Sequence, residues 1–119
     1  MTRYRISHVA ASDIVDILTW SQEQFGEQAR RHYEKLIATG IRDIAADPTR
    51  PGSDERPELG KGVRSWHLRG SRKHTTGGLV RRPRHLLIYR VEDDILLIGR
   101  ILHDAMELHR HVDTDTSWR

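Results

Sequence analysis

The 119-residue sequence contains no cysteine. That excludes disulfide scaffolds, thiol nucleophiles and cysteine-ligated zinc or iron–sulfur sites. No apolar run approaches the ~20 residues of a membrane span. Residues 1–10 carry charges where a secretory signal would have its apolar core. A cytoplasmic protein without membrane contact is therefore expected. Aromatic residues are sparse at 6%, and apolar residues reach only 36%, so the core must be modest. The length suits one domain over residues 1–119, with a polar tail from about 113. The most informative absence is local. No Asp or Glu occurs between Leu59 and Val91, while the same stretch holds nine basic residues. They are Lys61, Arg64, Arg69, Arg72, Lys73, Arg81, Arg82, Arg84 and Arg90. The formal charge of +3 thus divides into +9 in this segment and −6 elsewhere, where 11 basic residues face 17 acidic ones.

What is present sorts into short periodic segments. Arg3 to Val9 alternates as a first strand, with Tyr4, Ile6 and His8 on one face. Ala10 to Phe25 turns to helical spacing, with Ile14, Ile17, Leu18, Ser21 and Phe25 as its stripe. Ser12 is the expected N-cap, and Asp13 and Asp16 complement the positive helix start. Gly26 interrupts the pattern, and a second helix runs from Glu27 to Ala46. Its stripe is Ala29, Tyr33, Leu36, Ile37, Gly40, Ile41 and Ile44. A glycine on that stripe costs about 1 kcal/mol against alanine, so it predicts close approach of another element. Asp47-Pro48 stops the helix.

Thr49 to Gly62 reads as a loop and Val63 to Leu68 as a strand containing Trp66. Gly70 to Pro83 reads as a mobile basic loop. Leu86 to Val91 and Ile95 to Leu102 read as strands joined by a tight acidic turn at Glu92-Asp93-Asp94. Their near-continuous apolar character places them centrally, covered on at least one face. Ala105 to Val112 has room for one or two helical turns, and Asp113 to Arg119 reads as a frayed tail. The order is strand, helix, helix, then three strands and a short helix. This predicts an α+β fold with a two-helix hairpin packed on an antiparallel sheet meander.

Eight histidines raise the question of metal, but none is followed by glutamate, so H-E-x-x-H is absent and no metal or cofactor is expected. No G-x-S-x-G, Walker A or dinucleotide fingerprint appears. The basic segment is more specific. Uncompensated positive charge favours an anionic partner, either nucleic acid or an acidic protein segment. Metal-independent RNA cleavage would need a base, a phosphate-binding cation and an acid. His67, Arg69, His85, Arg100 and His103 supply those groups on or beside adjacent strands.

The run Leu87-Ile88-Tyr89-Arg90-Val91-Glu92-Asp93-Asp94, followed by Ile98-Gly99-Arg100-Ile101-Leu102-His103-Asp104-Ala105-Met106-Glu107, resembles the ParE branch of the RelE/ParE toxin superfamily. That branch ends in a "YRV"-like strand, an acidic turn, "RVLH" and an "RMD"-like helix. Arg56-Pro57-Glu58-Leu59-Gly60 is similar as well. The resemblance spans about residues 3–112. It implies the toxin of a type II toxin–antitoxin pair that inhibits DNA gyrase and replication. The alternative it implies is a ribosome-dependent mRNA endoribonuclease of RelE type. It further implies a small ParD-like antitoxin as partner, with operator DNA bound only through the antitoxin complex. The residues expected to meet target or antitoxin are Arg64, Arg69, Arg72, Lys73, Arg81, Arg82, Arg84, Arg100, His103 and Arg110. One departure is the loop from Arg69 to Arg84, longer than the family's usual hairpin.

Overall fold

A computed structural model describes residues 3–78, 80–112 and 117–119. The first strand, β1 (Arg3–Ile6), ends earlier than its alternation suggests, because Ser7 is a helix cap. Its Oγ accepts from the Ala10 N–H at 3.0 Å and donates to the Gly99 carbonyl at 2.9 Å. The cap of helix α1 (His8–Phe25) therefore lies five residues before the expected cap at Ser12, which is exposed. Asp13 consequently lies in the second turn and serves a different role, described below. Leu18 and Ser21 are buried as expected, with Ile14 and Ile17 against the core. Phe25 departs from the expected stripe: it is 68% exposed, edge-on to the exposed Trp20 at 5.6 Å. Gly26, at a φ of +94°, ends α1 and begins α2 (Glu27–Ala46). The second helix has the bounds its sequence implies, and its stripe from Tyr33 to Ile44 is buried. A Cβ on Gly40 would lie 2.7 Å from Leu68 and 3.2 Å from Leu87, which is the close approach the glycine signals.

The expected loop after α2 contains a two-residue edge strand, β2 (Asp54–Glu55), and a 3-10 turn at Pro57–Leu59. Strand β3 (Arg64–His67) follows, then β4 (His85–Glu92) and β5 (Ile95–His103). The sheet order is β1-β5-β4-β3-β2. β5 is antiparallel to β4 and parallel to β1, so the meander is closed into a five-stranded mixed sheet by the N-terminal strand. Asp93 and Asp94 both have positive φ (52° and 62°), as a two-residue hairpin loop matching strand twist requires.

Both faces of the sheet are covered, which is why β4 and β5 are almost continuously apolar. The inner face, with Trp66, Leu87, Tyr89, Leu96, Ile98 and Ile101, packs under the helices. The outer face, with Leu86, Ile88, Leu97 and Leu102, packs against Leu59, Val63 and Trp118. Pairing slips between Ile88 and Tyr89: Ile88 faces Arg100 and Tyr89 faces Ile98. The extra residue, Gly99, makes a bulge that lets Ile98 and Ile101 point to the same side.

Two segments differ from the expected loop and tail. Leu68–His74 is a 3-10 segment held on α2. Asp43 of that helix accepts from Ser71 Oγ at 2.6 Å and contacts His74 Nδ1 at 2.8 Å, while Ser71 accepts from Trp66 Nε1 at 2.9 Å. At the other end, Trp118 is buried rather than frayed, at 6% exposure. Its ring lies over Gly99, with the Arg90 guanidinium 4.5 Å from its centroid. Arg5 donates to the Trp118 and Arg119 carbonyls. The expected short helix after residue 105 reduces to a 3-10 turn at Leu108–Arg110. The part of the tail at 113–116 lies outside the described residues. Among the described residues, no helix is long and apolar enough to cross a membrane.

Candidate functional site

The register of β4 and β5 places His85 opposite His103 at the open end of the sheet. Their rings stand edge to face at 5.4 Å. Tyr33 of α2 completes this group, its hydroxyl 2.5 Å from His85 Nδ1. Burial pushes the Tyr33 phenol up to about 12, so it stays protonated and donates to His85. The same oxygen accepts the Arg84 N–H at 3.3 Å. Burial, then the charge of His103, push His85 down to about 4. His85 is thus neutral at pH 7, with its Nδ1 already engaged.

His67 and Asp104 form a second group beside the first. His67 Nδ1 accepts the Arg69 N–H at 3.1 Å, so Nε2 carries the proton and donates to Asp104 at 2.9 Å. Arg84 reaches the other Asp104 oxygen at 3.2 Å. Burial works to raise the Asp104 carboxyl. The His67 hydrogen bond and the charges of Arg84, His67 and His103 outweigh it and hold the carboxyl low. His103 accepts the Ala105 N–H through Nδ1, leaving Nε2 outward on a side chain that is 38% exposed.

Arg100, grouped in sequence with these histidines, is not part of the cluster. It makes a two-point pair with Asp13 at 2.8 and 3.0 Å and also donates to the His111 carbonyl. Asp13 accepts the Ile101 N–H as well, so α1 is joined to the bulged strand. Arg64 is similarly occupied, by Ser53 Oγ at 2.7 Å and Glu55 at 3.5 Å. Arg110 is exposed and paired with Glu107. Arg69, Lys73, Arg81 and Arg82 are exposed, and among the described residues their side chains make no hydrogen bond or ion pair. Arg72 is half-buried on the 3-10 segment, its Nε without a partner there.

Below His67 a cleft of about 650 Å³ opens. Arg50, Arg56 and Arg69 line it, with Trp66, Leu86 and Pro51 as apolar wall. Sequence reasoning missed Tyr33, which its spacing marks only as core, and Asp104, although it directly follows His103. Arg50 and Arg56 were missed because they precede the acid-free segment.

The family model described as "ParE toxin of type II toxin-antitoxin system, parDE" matches residues 4–108. The chain belongs to the ParE toxin family. Among curated proteins it is similar to Toxin ParE1 of Caulobacter vibrioides. The two are 28% identical over 112 residues, covering 94% of this chain and 99% of the relative. Its fold matches a solved structure titled "Chromosomal ParDE TA system from P. aeruginosa". That match has a TM-score of 0.61 at 19% identity and covers 87% of this chain and 96% of the other. The ParE assignment agrees with the motif at β4 and β5, which lies inside the matched range.

Proposed function

We propose that this ParE-family chain is a toxin that inhibits DNA gyrase, and thereby replication, until its antitoxin covers it. The observation that carries a binding role over bond-breaking is the state of the histidine cluster. His85 is neutral and occupied by Tyr33, and His67 uses both ring nitrogens on Arg69 and Asp104. Arg100 is committed to Asp13. An RNA-cleaving site would need a base and an acid free to exchange protons with substrate. His103 accepts the Ala105 N–H through Nδ1 and has no described partner at Nε2. The unpaired arginines and Lys73 instead suit contact with an anionic surface.

The antitoxin, a ParD-like protein, would neutralise the same charges with an acidic segment, and operator DNA would be bound only by the complex. Arg69, Arg72, Lys73, Arg81, Arg82, Arg84, His103 and Arg110 are the residues proposed to meet target or antitoxin. Arg64 and Arg100 would act by holding the scaffold.

Two assays test this reading. The chain is induced without antitoxin while growth and DNA-damage signalling are followed, with arrest and damage signalling expected. Purified protein is then compared for gyrase supercoiling and for cleavage of translated mRNA. Lost supercoiling with intact mRNA is expected. Cleaved mRNA with unimpaired gyrase would favour the endoribonuclease reading, and normal growth would remove both.

A further inference from the structure

We infer that the cleft between the 3-10 segment and the loop after α2 is a binding site for a phosphate ester, taken either as a free nucleotide or as one unit of a nucleic-acid strand. Three guanidiniums line it, from Arg50, Arg56 and Arg69. Two of them are fixed in advance. Arg56 is anchored through Nε to the buried Ser65 hydroxyl at 2.8 Å. Arg50 lies 5.2 Å from the Trp66 ring centroid and donates to the Asp43 carbonyl at 2.9 Å. The third, Arg69, is exposed, and its side chain has no partner among the described residues. Guanidiniums held before binding lose little freedom when they meet an anion, and their planar forks match phosphate oxygens.

Two carboxylates also line the cleft, and both are answered. Asp104 is held by His67 and Arg84, and Asp54 is exposed and 3.9 Å from Arg56. The glycines make the wall possible. A Cβ at Gly70 would lie 2.4 Å from the Trp66 ring, and one at Gly52 would lie 3.2 Å away. The volume falls in the ~300–1,000 Å³ range of small-ligand sites, larger than a single carboxylate side chain needs. An apolar wall of Trp66, Leu86 and Pro51 beside three cations suits a ligand with a charged end and a flat apolar body. A nucleotide has both.

The test uses the whole chain, without gyrase or antitoxin, so it stands apart from the gyrase reading. Binding of a labelled 12-residue single-stranded DNA is followed by anisotropy, and AMP by calorimetry. One phosphate held in the cleft predicts a slope of about −0.7 in log affinity against log salt for a single strand. The double variant Arg56→Ala/Arg69→Ala is expected to weaken binding at least about tenfold, as loss of charge-assisted hydrogen bonds implies. The equal-charge control Arg3→Ala/Arg42→Ala, at exposed residues outside the cleft, is expected to change it less than about twofold. Arg69→Ala alone, which disturbs no described side-chain contact, guards against misfolding and should weaken binding about threefold or more. AMP displacing the DNA identifies a nucleotide-sized site, whereas DNA binding without AMP binding identifies a strand. The inference is overturned if neither probe saturates at low salt, or if both double variants lose affinity equally. It is also overturned if an oligoglutamate peptide binds as tightly as DNA with the same dependence on Arg69.

Discussion

Stability should fall in mild acid through one residue, His85. Its imidazole is held near 4 in the folded chain against 6.5 ordinarily. The unfolded chain therefore binds a proton more readily than the folded one between those values. As pH falls from 6.5 toward 4 the unfolded state gains, and the loss levels off below 4. The full interval corresponds to about 3 kcal/mol, at 1.36 kcal/mol for each pH unit. By pH 5 about 2 kcal/mol of it has gone.

The groups facing His85 make the cause identifiable. Tyr33 donates to Nδ1, His103 lies edge-on, and His67, Asp104 and Asp13 act at longer range. His85→Asn keeps an acceptor for the Tyr33 hydroxyl but cannot titrate. Urea unfolding of both proteins, stepped from pH 7.5 to 4.5, isolates the contribution as a difference curve. Wild type should lose about 2 kcal/mol more than the variant by pH 5. Asp104, held below its usual range, contributes stability that disappears only at lower pH, below about 3.8, so the windows separate. A flat difference curve, or one that rises as pH falls, would refute the reasoning.

Other perturbations probe the scaffold. Gly99→Ala puts a Cβ 2.7 Å from the Trp118 ring. It should expel that ring at a cost of about 2 kcal/mol. Trp118→Ala should cost a similar amount, and the double variant no more than the larger single one, measured by denaturation. Asp13→Ala leaves Arg100, whose side chain is 18% exposed, without its carboxylate. A loss of about 3 kcal/mol is expected, and a loss below about 1 kcal/mol would show that the pair does not join α1 to the sheet. Replacing Asp93-Asp94 by Asn-Gly should gain about 0.5–1 kcal/mol, because both positions have positive φ. Unchanged or lower stability would count against that turn.

Much of the fold was legible because its signals are local. The Glu27–Ala46 stripe, the stop at Asp47-Pro48 and the hairpin at Asp93-Asp94 each depend on neighbouring residues. The errors have one cause, distant contacts. Ser7 caps α1 because the Gly99 carbonyl takes its proton from across the fold. Trp118 is buried because Gly99 leaves space for it and Arg5 and Arg90 hold it there. The His67, His85 and His103 grouping was legible because strand pairing preserves spacing. Arg100 was misgrouped with them: the bulge at Gly99 changes the facing of the strand between Ile98 and Arg100, and Asp13, 87 residues earlier, takes its guanidinium.

The acid-free segment from Leu59 to Val91 also reads differently once folded. Arg64 meets Glu55, Arg84 meets Asp104, and Arg90 meets Glu92 and the Trp118 ring. These three are answered by groups from outside the segment. Lys61, Arg69, Arg72, Lys73, Arg81 and Arg82 form no ion pair among the described residues, so the excess is concentrated rather than spread. Three of those six lie on the 3-10 segment that Asp43 fastens to α2 through Ser71 and His74. A charged segment held to a helix pays less entropy on meeting a partner than a free loop would. The carboxylate of Asp43 therefore supports recognition without belonging to the surface that recognises, and it does so by preventing that segment from being the loose loop its composition suggests.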